Sequence, residues 1–275
     1  EELRRRQGGW MLSGEVDQDL WRRLTSQFAQ RWDSECRRPQ VRAIYHIDNH
    51  KGYEKHIAMA KRLSAENPDL RPYGDGHAEM PGNMKLRYHG TLLACDFQGT
   101  PCSNPICSVC NIIKHGFDNR KIGSGHGKRY YGDGIYCSSS SATAYKFSRT
   151  GRAVFAVSVV CGDMLVRSAK DADTPVTGNH HVVVVKNPDN QMPTAVMKGT
   201  PPKRSGDKVV DELVVFKAEA IHAKYLFILD EREPGGRKCA NYPRCYNRPS
   251  TDVDKHGRPY VHCNYKCAKL AGQFS

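Results

Sequence analysis

Residues 131–136 read Tyr131-Gly132-Asp133-Gly134-Ile135-Tyr136, with serines at 138–141 and Tyr145 close behind. Two further segments frame this one. Upstream, a strand over 85–88 leads into Tyr88-His89-Gly90-Thr91. Downstream, Asp211-Glu212-Leu213-Val214-Val215-Phe216 runs on to Lys224-Tyr225-Leu226. Taken singly, each has a bland reading. A His-Gly step is commonly a turn, a lone tyrosine commonly belongs to a core, and a lone glutamate on an edge strand is commonly solvated. Their order along one chain is the informative feature.

Working outward, the segment 123–134 holds five glycines and reads as a loop with little core material. The serine-rich start of 138–147 suits a helix, because serine oxygens cap free amides of a first turn. Val16, Leu20, Leu24, Phe28 and Trp32 recur at four-residue steps and predict an amphipathic helix. A strand follows over 41–47, then a helix over 52–63 that Asn67-Pro68 ends. Residues 70–83 read as loop. Valine-rich runs over 154–160, 182–185, 209–216 and 225–229 are strand candidates. These elements predict an α+β class, dominated by strands in the second half.

The chain has 275 residues, long enough to bury a core without staples. Lys plus Arg total 42 against 29 acidic residues, and the resulting charge of +13 favours an anionic partner such as nucleic acid or a phosphate-rich cofactor. No apolar run reaches the ~18 residues of a membrane span, and Glu1-Glu2-Leu3-Arg4-Arg5-Arg6 lacks the apolar core of a signal peptide. An intracellular protein, cytoplasmic or nuclear, with no membrane partner, is expected.

The eleven cysteines sharpen this expectation, since an odd count does not suit a fully paired secreted framework. Cys95, Cys102, Cys107 and Cys110 fall within sixteen residues and include a Cys-x2-Cys pair. That spacing presents two thiolates to one metal and predicts structural zinc in a compact loop. Cys239, Cys245, Cys263 and Cys267 form a second set, in a 235–275 segment with few large aliphatics. Zinc would supply the stability that burial there does not. His256 and His262 are alternate ligands. Basic residues such as Arg237, Arg244 and Lys266 interleave with Tyr242, Tyr246, Tyr260 and Tyr265, a mixture suited to nucleic acid and equally to a solvated basic surface.

Together the three segments resemble the catalytic domain of the diphtheria-toxin-type ADP-ribosyltransferases, the poly(ADP-ribose) polymerase superfamily. That family carries a histidine in a His-Gly-Ser/Thr step, a tyrosine in Gly-x-Gly-x-Tyr, and a glutamate opening a strand before Lys-Tyr-Leu. These fall on His89, Tyr136 and Glu212, with Lys224 twelve residues beyond the glutamate. Roughly residues 20–230 are covered. Among its branches the chain looks closest to fungal members, which share a cysteine-rich insertion after the His-Gly-Thr step. The resemblance implies a split antiparallel β-sandwich that binds NAD, and transfer of ADP-ribose with release of nicotinamide.

It also implies roles. Glu212 would bind the reacting ribose hydroxyl and steady developing positive charge, and align or deprotonate the acceptor. His89 would hold the adenosine ribose, and Thr91 would contact the adenosine half. Gly90 would meet the nicotinamide carboxamide through its backbone. Tyr145 would stack on the ring, with Tyr136 closing the pocket. The family's serine falls near Ala142, with Ser141 beside it as the nicotinamide ligand. Lys128 and Arg129 would face the pyrophosphate. The expected domains are a catalytic domain over 1–234 and a cysteine-rich zinc module over 235–275. Mono-ADP-ribosylation of a protein is the expected reaction. The alternatives are DNA or RNA as acceptor, and a non-catalytic zinc-dependent reader of nucleic acid or ADP-ribose.

Overall fold

The computed structural model describes residues 10–12, 18–32, 38–67, 81–121, 130–148, 152–167, 180–186 and 211–230. The second cysteine set, Lys128 and Arg129, and the boundary expected at 234 lie outside the described residues.

A long, largely buried strand sits near the middle of the sheet. β5 (Ala153–Val160) is apolar on both faces, as a strand covered on both sides must be. β3 (Met84–Gly90) pairs along one side of it and β9 (Ile221–Leu229) along the other. β2 (Val41–His46) and β1 (Trp10–Leu12) extend the sheet beyond β9. On the far side of β3 lie β4 (Ile135–Ser138), β8 (Asp211–Val215), β7 (Val182–Lys186) and β6 (Met164–Arg167). The order is β1-β2-β9-β5-β3-β4-β8-β7-β6.

This corrects the expected sandwich in two respects. The nine described strands join in one hydrogen-bonded sheet, and the split takes the form of a seam. β3 and β4 share one register pair, Tyr88 with Ser138, whereas β3 and β5 share seven. Nor is the sheet wholly antiparallel, because β6 and β7 run parallel. The fourteen residues between Arg167 and Val182 supply the length that a parallel return requires.

The helices cover opposite faces of the larger half. α1 (Gln18–Gln30) buries Leu24 and Phe28. Phe28 stacks on Phe227 with ring centroids 5.0 Å apart and meets Tyr88 edge-on at 5.7 Å. α2 (His50–Glu66) lies on the other face, where Met59, Ala60 and Leu63 join Phe155, Val157 and Val159 in the main core. Asn49 starts α2 by accepting the Gly52 amide on Oδ1 at 2.9 Å.

Two expectations shift locally. Residues 135–138 are strand, and α4 (Ser141–Phe147) begins only after Ser140, whose Oγ accepts the Thr143 amide at 3.0 Å. The cysteine segment expected as a loop ends in a helix, α3 (Ser108–His115), with Cys107 at its N-cap. No described helix is long and apolar enough to cross a membrane.

Candidate active site

The seam between β3 and β4 carries the signature residues. Tyr88, Ser138 and Glu212 form one row across β3, β4 and β8. The strands bearing His89 and Glu212 therefore stand two ladder spacings apart, roughly 10 Å. Within β4, Tyr136 pairs with Val214, two positions along from the Ser138–Glu212 pair. Alternation sends Tyr136 and Glu212 to the same face, where Tyr136 packs with Tyr131, Val183, Val185 and Val214.

His89 falls one position out of that row, toward the main-core face, where the Phe117 ring meets it edge-on at 5.3 Å. Its Nδ1 lies 2.9 Å from the carbonyl oxygen of Tyr136. A carbonyl only accepts, so Nδ1 carries the proton and donates, leaving Nε2 as an acceptor. Burial lowers the His89 pKa against the opposing pull of that carbonyl, which keeps the ring neutral. The sheet thus gathers His89, Tyr136 and Glu212 at the seam without placing all three on one face.

Glu212 is half-buried, and among the described residues its carboxylate makes no hydrogen bond or ion pair. Burial, and secondarily the charge of Asp211, push its pKa up to about 7. Asp211 itself is held firmly. Arg87 donates from Nε to Oδ1 at 2.7 Å and from Nη2 to Oδ2 at 2.6 Å, and the two side chains are only 3% and 8% exposed. The Ser139 Oγ accepts the Asp211 amide at 2.9 Å, and the Ser139 amide donates to the Asp211 carbonyl at 3.0 Å.

The remaining expected residues divide. Tyr136 is anchored, with its hydroxyl donating to the Gly132 carbonyl at 3.0 Å and accepting the Tyr131 amide at 3.2 Å. Thr91 follows β3 directly and is half-buried. Gly90 closes β3, but the space its missing side chain leaves belongs to α4. A Cβ there would lie 1.7 Å from the Ala144 carbonyl oxygen. Its smallness serves helix packing rather than ligand access alone. Tyr145 is 7% exposed and packs against Trp32 at a centroid distance of 5.3 Å. Ser141 is fully buried. Its hydroxyl donates to the Phe28 carbonyl at 2.7 Å and its amide to the Arg31 carbonyl, so it fastens α4 to α1. The sequence reading overlooked Arg87 and Asp211 as partners, whose signal was a charge adjoining each signature motif, two residues before His89 and next to Glu212.

Cys95, Cys102, Cys107 and Cys110 do converge. Their sulfurs lie within 4.8 Å of one another, with Cys95 3.8 Å from Cys107 and 3.5 Å from Cys110. These distances exceed a disulfide bond of ~2.05 Å and approach the edge of a zinc–thiolate tetrahedron, about 3.8 Å for a Zn–S bond of ~2.3 Å. The Cys107 thiol is pulled down to about 5, first by the Cys110 thiol and further by the Cys110 and Ala94 amides. A thiolate is what a metal needs. The set fits one zinc ion. α3 then ends at Gly116, whose φ of 74° suits glycine, and the chain turns so that Phe117 lands on His89.

No curated protein matches the chain. The family described as poly(ADP-ribose) polymerase catalytic domain matches residues 40–230, more than half of the chain, and spans β2 through β9 with the entire seam. With its histidine, tyrosine and glutamate strands assembled as above, the chain belongs to the poly(ADP-ribose) polymerase catalytic-domain family, whose activity is ADP-ribose transfer from NAD.

Proposed function

We propose that this chain is a catalytically competent ADP-ribosyltransferase that breaks the nicotinamide–ribose bond of NAD and passes ADP-ribose to an acceptor. The observation carrying this reading is the row Tyr88–Ser138–Glu212, which puts a carboxylate with no partner among the described residues on the strand beside Tyr136 and within two strands of His89. The electron pair of the breaking bond goes to the nicotinamide nitrogen and neutralises the ring. The sugar becomes oxocarbenium-like, as in glycoside hydrolysis. Glu212, as carboxylate, binds a hydroxyl of that ribose and stabilises the cation. It then takes the acceptor's proton as the new bond forms. Neutral His89 accepts a hydroxyl of the adenosine ribose on Nε2. Tyr136 and Tyr145 bound the nicotinamide pocket, with the Gly90 backbone and Thr91 completing the dinucleotide contact. In this reading one ligand is met by residues from both sides of the single-pair seam between β3 and β4.

A single transfer to a protein is the reading of the product. The C-terminal tyrosines and basic residues favour DNA or RNA as the second acceptor class. The cysteine insertion accords with the fungal-type branch, and Cys95, Cys102, Cys107 and Cys110 hold structural zinc. A second zinc falls to Cys239, Cys245, Cys263 and Cys267. The test is incubation of the full chain with NAD. Nicotinamide release is expected, and Glu212→Gln should lower it at least ~100-fold without altering the circular dichroism. Equal release by both proteins would remove Glu212 from catalysis. Mass spectrometry of added protein and oligonucleotide after the reaction identifies the acceptor.

A further inference from the structure

β3 and β8 are not neighbours in the sheet, because β4 lies between them. Arg87 nonetheless reaches from β3 to Asp211 at the start of β8, passing the buried Cys137 of β4 on the main-core face. It does so where the ladder is weakest, beside the single Tyr88–Ser138 pair. Arg87 stands two residues before His89, and Asp211 is bonded directly to Glu212. The fork-to-fork geometry fixes both distance and orientation, which a lysine's point charge would not. The Ser138 hydroxyl, 3.2 Å from the Asp211 carbonyl, and the Ser139 amide and hydroxyl hold the same residue from β4.

We propose that the buried Arg87–Asp211 pair is the positioning device of the reaction, setting the span between the His89 strand and Glu212 across the seam. Neither residue touches the dinucleotide; both act through Glu212. The inference rests on the assignment of Glu212 above. A buried ion pair contributes little net stability relative to a neutral pair of similar shape, so its presence here is explained by the geometry it imposes. Among the described residues, Cys137 from β4, Cys161 after β5 and Glu212 itself lie close enough to interact electrostatically with the pair, and Lys85 on β3 acts in turn on Cys161.

The experiment measures NAD turnover by the full chain for Arg87→Gln, Asp211→Asn, the double variant, Arg87→Lys and Glu212→Gln. The double variant removes both charges of the pair together and guards against loss of fold, which melting curves verify. Each single variant should lower kcat about 100-fold, since a displacement of ~1 Å suffices for that, with KM changed less than ~3-fold. The double variant should be no worse than either single one, because the two residues form one unit. Arg87→Lys should recover part of the rate. Asp211→Asn should also move the acidic limb of the pH–rate profile to lower pH, since it removes a negative neighbour of Glu212; a purely structural role would lower the melting temperature and leave the kcat of the folded variants unchanged. A folded double variant with wild-type kcat would overturn the proposal while leaving Glu212 intact. Full activity in Glu212→Gln would overturn the reading of Glu212, and this inference with it.

Discussion

At the scale of single residues, Glu212 matters most for its protonation state. Its folded-state pKa stands near 7, above the 4.5 of an unfolded glutamate, chiefly because of burial. Two consequences follow from that one sign. In the proposed mechanism the reaction needs the carboxylate, so nicotinamide release should fall as pH drops through about 7, which a pH–rate profile reads directly. Stability runs the other way. A raised carboxyl pKa means the folded state holds its proton more tightly than the unfolded state. The associated stabilisation is complete below about 4.5 and is lost as pH rises through about 7. Glu212→Gln should therefore be more stable than wild type at pH 8, by ~2 kcal/mol after allowing for solvent screening. The gain should vanish near pH 4.5, as paired denaturant titrations at the two pH values would reveal. A gain that is the same at both pH values would contradict the raised pKa.

At the scale of elements, the contact between β3 and α4 is the tightest constraint near the site. Any Cβ at Gly90 would occupy the Ala144 carbonyl, so α4 can only pack where it does because that side chain is absent. Gly90→Ala should cost about 3 kcal/mol, toward the upper end for overpacked sites, and displace Tyr145 along with the helix. Thermal melting and the nicotinamide KM measured together would register both effects, and an unchanged melting temperature would refute the contact. The serine run before α4 illustrates a limit of sequence reading at this scale. Its capping chemistry was legible, but which serine caps was not. Ser139 is taken by the Asp211 backbone and Ser140 is left to receive the Thr143 amide. Only the arrival of β8, some seventy residues later in the chain, decides between them.

For the whole molecule, the cysteine cluster links the main core to the active site. Cys107 and Cys110 are fully buried in that core, and α3 carries the chain from them to Phe117 and so to His89. A zinc ion there should act as a structural element, since it closes a segment that otherwise depends on one short helix. Cys107→Ser should remove one zinc per chain by elemental analysis, lower the melting temperature by several degrees, and reduce nicotinamide release through the loosened Phe117–His89 contact. Full zinc content in that variant would show that the four thiols do not bind metal as a set.

By itself the sequence determined the class of chemistry and most of the elements. The four-residue apolar steps of α1, the valine runs of β5 and β7, and the clustered thiols each depend on neighbours within one or two turns of chain, where spacing and side-chain type are sufficient. The motifs around His89, Tyr136 and Glu212 are likewise local, and the sheet brings their strands together at the seam. Tertiary structure alone decided that the split is a one-pair seam, that Ser141 serves packing, and that Arg87 grips Asp211. All three involve groups fifty or more residues apart in the chain. Such pairings are settled by strand register and burial, and a linear pattern carries neither.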